Sequence, residues 1–176
     1  MRTLGCAFQI LALALGLALI LGAIYQGYLF QRDIYGWQER AQVATLAEDI
    51  AEYTENLQAG MERYGLTSGY AAFVFTHPGN DLGLIYKAVQ EAANQARLVA
   101  ALDPKSDAYQ QGIDNLRGTL RELQIPAYSG WFVKNALPIG ALVLLEIALI
   151  VLGLFLALPR PRVRERRVYV FRRWRW

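Results

Sequence analysis

Residues 136–158 read ALPIGALVLLEIALIVLGLFLAL, a run of 23 residues that carries no charge apart from Glu146 near its middle. A helix rises about 1.5 Å per residue, so a run of this length crosses the hydrocarbon core of a bilayer, which is about 30 Å thick. A second apolar stretch covers residues 4–30. The two stretches predict two transmembrane helices, one on either side of residues 31–134.

The first apolar stretch is too long for a cleaved signal peptide, whose apolar core spans about 7–15 residues. Uncharged residues extend over positions 3–31. We therefore expect residues 1–30 to form an uncleaved N-terminal anchor. Within it, Ala14, Ala18 and Gly22 repeat a small residue at every fourth position, a spacing that lets another helix approach closely.

The formal net charge of +3 conceals two segments of opposite sign. Residues 31–134 hold nine Lys and Arg against thirteen Asp and Glu, a net of −4. Residues 159–176 hold eight Arg against Glu165 alone, a net of +7. Basic segments beside a span stay in the cytoplasm. We therefore expect a bacterial-type inner or plasma membrane protein with both termini cytoplasmic, residues 31–134 outside and residues 159–176 as a basic cytoplasmic tail.

Apolar residues recur at helical intervals throughout residues 31–134. The pattern predicts three helices, at about residues 31–64, 81–102 and 104–124. Each presents a narrow apolar seam, which is typical of a helical bundle or coiled coil. Asn80 or Asp81 should cap the second helix, and Asp103 followed by Pro104 should begin the third.

Three helices joined by tight turns would leave the chain at the wrong end of the domain to re-enter the membrane. We expect the connector, residues 65–80, to run back along the bundle; the alternative is that the second and third helices form one long kinked helix. Residues 70–75 of the connector are apolar. They need a cover, supplied by the domain, a partner or the lipid surface.

Glu146 is the charged residue at the centre of the second span, residues 135–158. A charge there costs about 2.5–3.5 kcal/mol even on the lenient insertion scale, so the side chain should face protein or water. Gly153 and Ala157 share its helix face, which indicates an intramembrane interface or an ion site. The first span offers only Gln9 and Gln26, one near each end, so we expect the partner of Glu146 to lie outside this chain.

The chain ends in alternating arginine and tryptophan side chains: Arg172, Arg173, Trp174, Arg175 and Trp176. Arginines suit anionic phosphates and indoles suit the interface, which predicts contact with anionic lipid headgroups. Nucleic acid would fit the same residue types. We do not expect it, because the tail is short and has no fold behind it.

The sequence lacks a Gly-rich phosphate loop, a Cys/His metal cluster and a nucleophile motif. It holds one histidine, His77, and one cysteine, Cys6, so most enzyme mechanisms lack their usual groups. We therefore expect no enzymatic activity, no metal and no cofactor.

The sequence thus predicts an all-α membrane protein, with two transmembrane helices flanking an extracytoplasmic helical bundle or coiled-coil domain. The first functional hypothesis is a non-catalytic accessory or scaffolding subunit that binds other integral membrane subunits or itself. The second is an extracytoplasmic sensor or ligand-binding module, since the order span, bundle, span resembles the layout of the outer half of bacterial chemoreceptors, with no shared motif. The third is a homo-oligomeric channel or transporter component that uses Glu146, because rings of carboxylates select cations.

Overall fold

The computed structural model describes residues 2–158, which form seven α-helices, one π-helical turn, one short 3₁₀ turn and no β-strand. The α-helices are α1 (Arg2–Phe30), α2 (Gly36–Val43), α3 (Ala47–Arg63), α4 (Leu82–Ala100), α5 (Asp107–Glu122), α6 (Ala127–Lys134) and α7 (Ala136–Ala157). The π-turn, Gln31–Tyr35, joins α1 to α2, and the 3₁₀ turn, Pro78–Asn80, precedes α4. The predicted all-helical class is confirmed for these residues.

α1 and α7 are both long and apolar enough to cross a bilayer. α1 continues through the π-turn into α2, so that one helical segment covers Thr3–Val43. The two helices pack side by side and antiparallel. Only 11% and 6% of their most apolar windows is buried inside the protein. Apolar surface exposed on this scale is unfavourable in water and favourable in hydrocarbon, which is consistent with membrane insertion.

The helices α2, α3, α4 and α5 form an antiparallel bundle beyond the end of α1. α2 packs on α3, α3 on α4, α4 on α5, and α5 returns to α2. The end of the bundle that meets α1 and α7 is called the junction end below. There the ring of Tyr64, which follows α3, lies 4.9 Å from that of Phe30, the last residue of α1. Tyr35 donates a hydrogen bond of 3.2 Å to the carbonyl of Ile125, which follows α5.

The single helix expected over residues 31–64 is instead a helical hairpin. The chain turns at Ala44, whose ψ of 142° is extended. Arg117 of α5 donates a hydrogen bond of 2.8 Å to the Ala44 carbonyl, and the Ala47 N–H donates one of 3.1 Å to the Tyr109 hydroxyl. These tertiary hydrogen bonds satisfy backbone groups that the break in the helix releases. The break was not visible in the sequence because no glycine or proline marks it.

The hairpin gives the bundle an even number of helices, which returns the chain to the junction end. The expectation that residues 65–80 run back along the bundle is therefore corrected, and so is its alternative of one long kinked helix, since α4 and α5 are separate and antiparallel. Residues 65–80 stay at the junction end. Leu66 and Ala71 are buried there in one apolar cluster with Phe30 and Ala127.

The core consists of two apolar clusters stacked along the bundle. The cluster at the junction end contains Phe30, Ile34, Leu57, Met61, Leu66, Ala71, Leu82, Ile85, Val89, Ile125 and Ala127. The distal cluster contains Ala41, Ala44, Ala47, Ile50, Ala51, Ala92, Ala96, Tyr109, Ile113, Leu116 and Leu120. The apolar seams expected on α3, α4 and α5 line these clusters. Leu46, which lies in the turn before α3, is half exposed.

The caps of α4 and α5 follow the sequence only in part. Asp81 caps α4 as expected, because its carboxylate accepts hydrogen bonds from two backbone N–H groups of the first turn. α5 begins later than expected, after Ser106, whose hydroxyl accepts from the Tyr109 N–H at 3.2 Å. The Asp103 carboxylate instead accepts from the Lys105 N–H at 2.9 Å and closes a turn before the helix.

Candidate functional site

The contact between α1 and α7 is made by small residues that bring the two backbones close together. A β-carbon on Gly5 would lie 3.0 Å from the Gly153 carbonyl oxygen and 3.0 Å from the Ala157 nitrogen. A β-carbon on Gly153 would lie 3.0 Å from Cγ of Gln9. Close backbone approach of this kind gives the van der Waals packing that holds helices together in a bilayer.

The helix face of Glu146, Gly153 and Ala157 therefore lies on α1 of the same chain, where the sequence led us to expect another subunit. The sequence interpretation missed the role of Gly5. The backbone of α7 at Gly153 can approach α1 this closely only because residue 5 has no side chain. The antiparallel pairing then brings Gln9 beside Gly153 and Gly16 beside Glu146.

Glu146 borders a cavity of about 330 Å³ between the two helices. The cavity is partly open and is lined by Gln9, Ala12, Leu13, Glu146 and Ile150. Glu146 and Gln9 are its polar side chains. The sequence does not predict that these two side chains line one cavity, because Gln9 lies near one end of the first apolar stretch and Glu146 near the middle of the second. One sequence signal for this contact exists. Gln9, Ala12 and Gly16 recur at helical spacing and so share one face of α1.

The Glu146 carboxyl has no hydrogen bond or salt bridge to any residue in the described range 2–158. It is half buried and lies against Gly16, the residue at which α1 leaves room for the carboxyl oxygens. A carboxyl and a carboxamide can together bind a hydrogen-bond donor, a basic side chain or a cation. Two such groups supply too few oxygens to enclose a hard cation by themselves. The described residues also form no group of three or more His, Cys, Asp or Glu side chains that could hold a metal.

The second predicted helix-packing face, Ala14, Ala18 and Gly22, lies on the outer side of α1. All three residues are exposed, and a β-carbon on Gly22 would meet no described residue within 4 Å. α7 packs instead on the face that carries Gly5, Gln9, Ala12 and Gly16. α1 thus has one face occupied by α7 and a second small-residue face that no other part of residues 2–158 covers.

A buried ionic cluster fixes α1 to the bundle at the π-turn. The buried Asp33 carboxylate accepts hydrogen bonds from Arg32 at 2.5 and 3.0 Å, from Arg63 at 3.0 Å and from the Tyr64 hydroxyl at 2.8 Å. The hydrogen bonds from Arg32, with those from Tyr64 and Arg63, lower the pKa of Asp33 to about 2 against the opposing effect of burial. Burial and the hydrogen bond to Asp33 raise the pKa of Tyr64.

The backbone geometry of the π-turn permits this cluster. A π-helix holds more residues per turn than an α-helix, so the direction of each following side chain is shifted. Gly60 of α3 packs directly against the Asp33 carbonyl, at a distance that a β-carbon would prevent. The sequence interpretation missed the cluster, because a tertiary ion pair between residues about thirty positions apart has no local sequence pattern.

The predicted lipid-contact residues Arg172, Arg173, Trp174, Arg175 and Trp176 lie outside the described residues. No protein-family model, curated protein or solved structure matches the chain. Function is therefore inferred from the geometry of its own residues.

Proposed function

We propose that this protein is a non-catalytic accessory or scaffolding subunit of a larger integral membrane complex. α1 and α7 would lie in the bilayer and the bundle in the water outside it. The observation that carries the proposal is the Glu146 carboxyl, which lies near the middle of α7 at a partly open cavity without a partner among residues 2–158. An unpaired carboxyl in hydrocarbon is unfavourable, and a polar group from a neighbouring subunit would satisfy it.

The open face of α1 supports the same proposal. Ala14, Ala18 and Gly22 offer a flat surface on the side away from α7. Small residues at this spacing let a second helix approach, and α7 cannot be that helix because it already occupies the other side. The helix pair would therefore bind neighbouring subunits, or further copies of itself, through α1 and through the Glu146 cavity.

The orientation in this proposal follows from charge. The ends of α1 and α7 that are remote from the bundle lie together, since Gly5 packs on Gly153 and Ala157. The Arg-rich segment 159–176 follows α7 at that end. By the positive-inside rule this end would be cytoplasmic, residues 31–134 would be outside, and the tail would bind anionic lipid headgroups.

The packing of the bundle favours a scaffold over the sensor hypothesis. Its two clusters are apolar. The buried Gln38 amide donates hydrogen bonds to the carbonyls of Leu120 and Leu123, at 3.0 and 2.6 Å. It thereby satisfies backbone carbonyls at the C-terminal end of α5. The other buried polar side chains, Asp33 and Thr54, are also hydrogen-bonded inside the domain. None of these groups is left free to recognise a ligand.

A second candidate function, a homo-oligomeric cation or proton pathway, rests on the cavity itself. Gln9 and Glu146 line it together, and a ring of such cavities in an oligomer would present a ring of carboxylates. Ion flux through reconstituted protein that is lost in Glu146→Gln would support this function.

Site-specific crosslinking of the full chain tests the first proposal. A photoreactive amino acid at Ala18 should give adducts with another membrane protein or a second copy, while the same group at Leu144, exposed elsewhere on α7, should not. Native mass spectrometry in mild detergent should show a species heavier than one chain. A monomer without adducts at position 18 would contradict the proposal, and adducts with the chain itself alone would favour the homo-oligomer.

A further inference from the structure

The connector between α3 and α4 carries large apolar side chains that point away from the protein. Residues 70–75 read YAAFVF. Phe73 is 62% exposed, Val74 75% and Phe75 82%, and Tyr70 is also exposed. Three consecutive large apolar residues exposed to this degree are unfavourable in water.

The loop that presents these side chains is held at both ends by hydrogen bonds. The Ala71 N–H donates to the Asn80 carbonyl at 2.8 Å, and the Leu82 N–H donates to the Gly69 carbonyl at 2.8 Å. The Asn80 side chain donates to the Phe75 carbonyl at 2.7 Å. The exposed apolar side chains thus belong to a loop that hydrogen bonds close at both ends.

The loop leaves the bundle at the junction end, where α1 ends and α7 begins. Lys134, the last residue of α6 and two residues before α7, donates a hydrogen bond to the Gly65 carbonyl. Ala71 is buried in the same cluster as Phe30, the last residue of α1. Phe75 is four residues from Ala71, so it lies within about 14 Å of it even if the chain is fully extended. The headgroup region on each side of a bilayer is itself several ångströms thick.

The composition of the connector suits lipid. Residues 65–80 contain no Asp, Glu, Lys or Arg. Tyr and Phe side chains are favoured at the membrane–water interface, where an apolar ring meets a polar layer. Transfer of residues 70–75 into that layer would therefore bury apolar surface and would require no charge to be desolvated.

We propose that residues 70–75 insert into the lipid surface on the bundle side of the membrane, as a third membrane contact beside α1 and α7. The inference rests on the proposed insertion of those two helices. Insertion at this third point fixes the tilt and rotation of the bundle relative to the bilayer. The bundle is then a rigid element presented at a set angle to its partners, which two helices side by side could not ensure.

Spin labelling in lipid vesicles tests the inference. Phe75→Cys, and Val74→Cys as a second variant, are made in the full chain with Cys6→Ala, labelled with a nitroxide and reconstituted into phosphatidylcholine and phosphatidylglycerol vesicles. Collision rates are measured with oxygen, which concentrates in lipid, and with a nickel chelate, which stays in water. Ser106→Cys at the distal end of the bundle serves as the water control, and Leu144→Cys in α7 as the lipid control.

The ratio of oxygen to nickel collisions at positions 74 and 75 should exceed that at position 106 several-fold and approach that at position 144. A water-like ratio at 74 and 75 with a lipid-like ratio at 144 would overturn the inference and leave the span assignment intact. Low collision rates with both reagents at 74 and 75 would show a protein cover and would also overturn it. A water-like ratio at 144 would instead refute the insertion of α7.

Discussion

The Glu146 carboxyl of α7 lies against Gly16 of α1, so closely that a β-carbon on residue 16 would overlap the Oε1 atom. A side chain at position 16 would therefore displace the Glu146 carboxyl from its place near the middle of α7. Six residues further along α1, a β-carbon on Gly22 would meet no atom of residues 2–158 within 4 Å. Gly16 therefore marks the face of α1 that contacts α7, and Gly22 marks the face that we propose contacts other subunits.

Gly16→Leu should destabilise the helix pair, because the added side chain competes with the Glu146 carboxyl for the same space. Overpacking of this kind costs about 1–3 kcal/mol. Gly22→Leu should leave the free energy of unfolding within about 0.5 kcal/mol of wild type, since its side chain enters open space. It should nevertheless weaken the assembly. Unfolding in detergent measures the first effect and native mass spectrometry the second; equal stability loss in both variants would contradict the assignment of faces.

Glu146→Gln and Glu146→Leu distinguish the roles of the mid-span carboxyl. Glutamine keeps the shape and the hydrogen-bonding capacity but cannot carry a charge, so the assembly should survive it. Leucine should weaken the assembly by about 0.6–2 kcal/mol, the usual value of an interhelical hydrogen bond in a bilayer. If Glu146→Gln preserves assembly but abolishes ion flux, the pathway function is the correct one. If neither variant changes assembly or flux, Glu146 has no partner.

The stability of the junction should decrease at acidic pH because of Asp33. Its folded pKa of about 2 lies below the ordinary value of 3.8, so its carboxylate contributes stability above about pH 4. That contribution should be lost as the pH falls toward 2. Asp33→Asn should cost about 1–2 kcal/mol at neutral pH, because the hydrogen bonds from two exposed arginines lose their charge assistance.

Asp114→Asn is the matched control for this prediction. Asp114 also forms an ion pair with an arginine, Arg117, but its side chain is mostly exposed, so its loss should be within about 0.5 kcal/mol. Denaturation followed at several pH values compares the two variants. Acid sensitivity that persists unchanged in Asp33→Asn would assign it to other carboxylates.

The distal core should depend on α5. Leu116→Ala and Leu120→Ala should each lower the free energy of unfolding by about 2–5 kcal/mol, because both side chains are fully enclosed by the bundle. Leu98→Ala removes the same atoms from an exposed position on α4 and should cost far less. Chemical denaturation monitored by helical circular dichroism provides the measurement. Small losses in both α5 variants would indicate that the helix is held in place only by a partner.

The orientation can be tested with single cysteines in a Cys6→Ala background. Ser106→Cys, at the distal end of the bundle, should react with an impermeant thiol reagent in intact cells. Val168→Cys in the Arg-rich segment should react only after the cells are permeabilised, because the positive-inside rule retains that segment in the cytoplasm. The reverse pattern would invert the orientation.

Local chemistry was enough to predict α1, α4, α5 and α7, but not the break between α2 and α3 or the short helix α6. The apolar runs that became α1 and α7 are recognisable by length, and the seams of α4 and α5 by their period of three and four residues. The Asp81 cap was visible because a side chain that caps a helix acts on its immediate neighbours. These features depend on residues within one or two turns of each other, which is the range over which sequence patterns carry direct information.

The tertiary structure decided where the chain turns and which faces meet. The break at Ala44 is stabilised by Arg117 and Tyr109, more than sixty residues away, so no local signal precedes it. The cluster around Asp33 likewise needs Arg63, thirty residues further along the chain. The spacing of Ala14, Ala18 and Gly22 predicted one packing face on α1, and no local pattern indicated that Gly5 and Gly16 would receive α7.

That choice was made by packing. Gly5 and Gly16 accept the backbone of Gly153 and the carboxyl of Glu146 along one antiparallel line, whereas Ala14, Ala18 and Gly22 remain outside it. Composition and periodicity thus determined that this protein is helical with two long apolar helices. Complementarity of shape between distant segments, which depends on many contacts together, determined how those helices are arranged and where the Glu146 carboxyl lies.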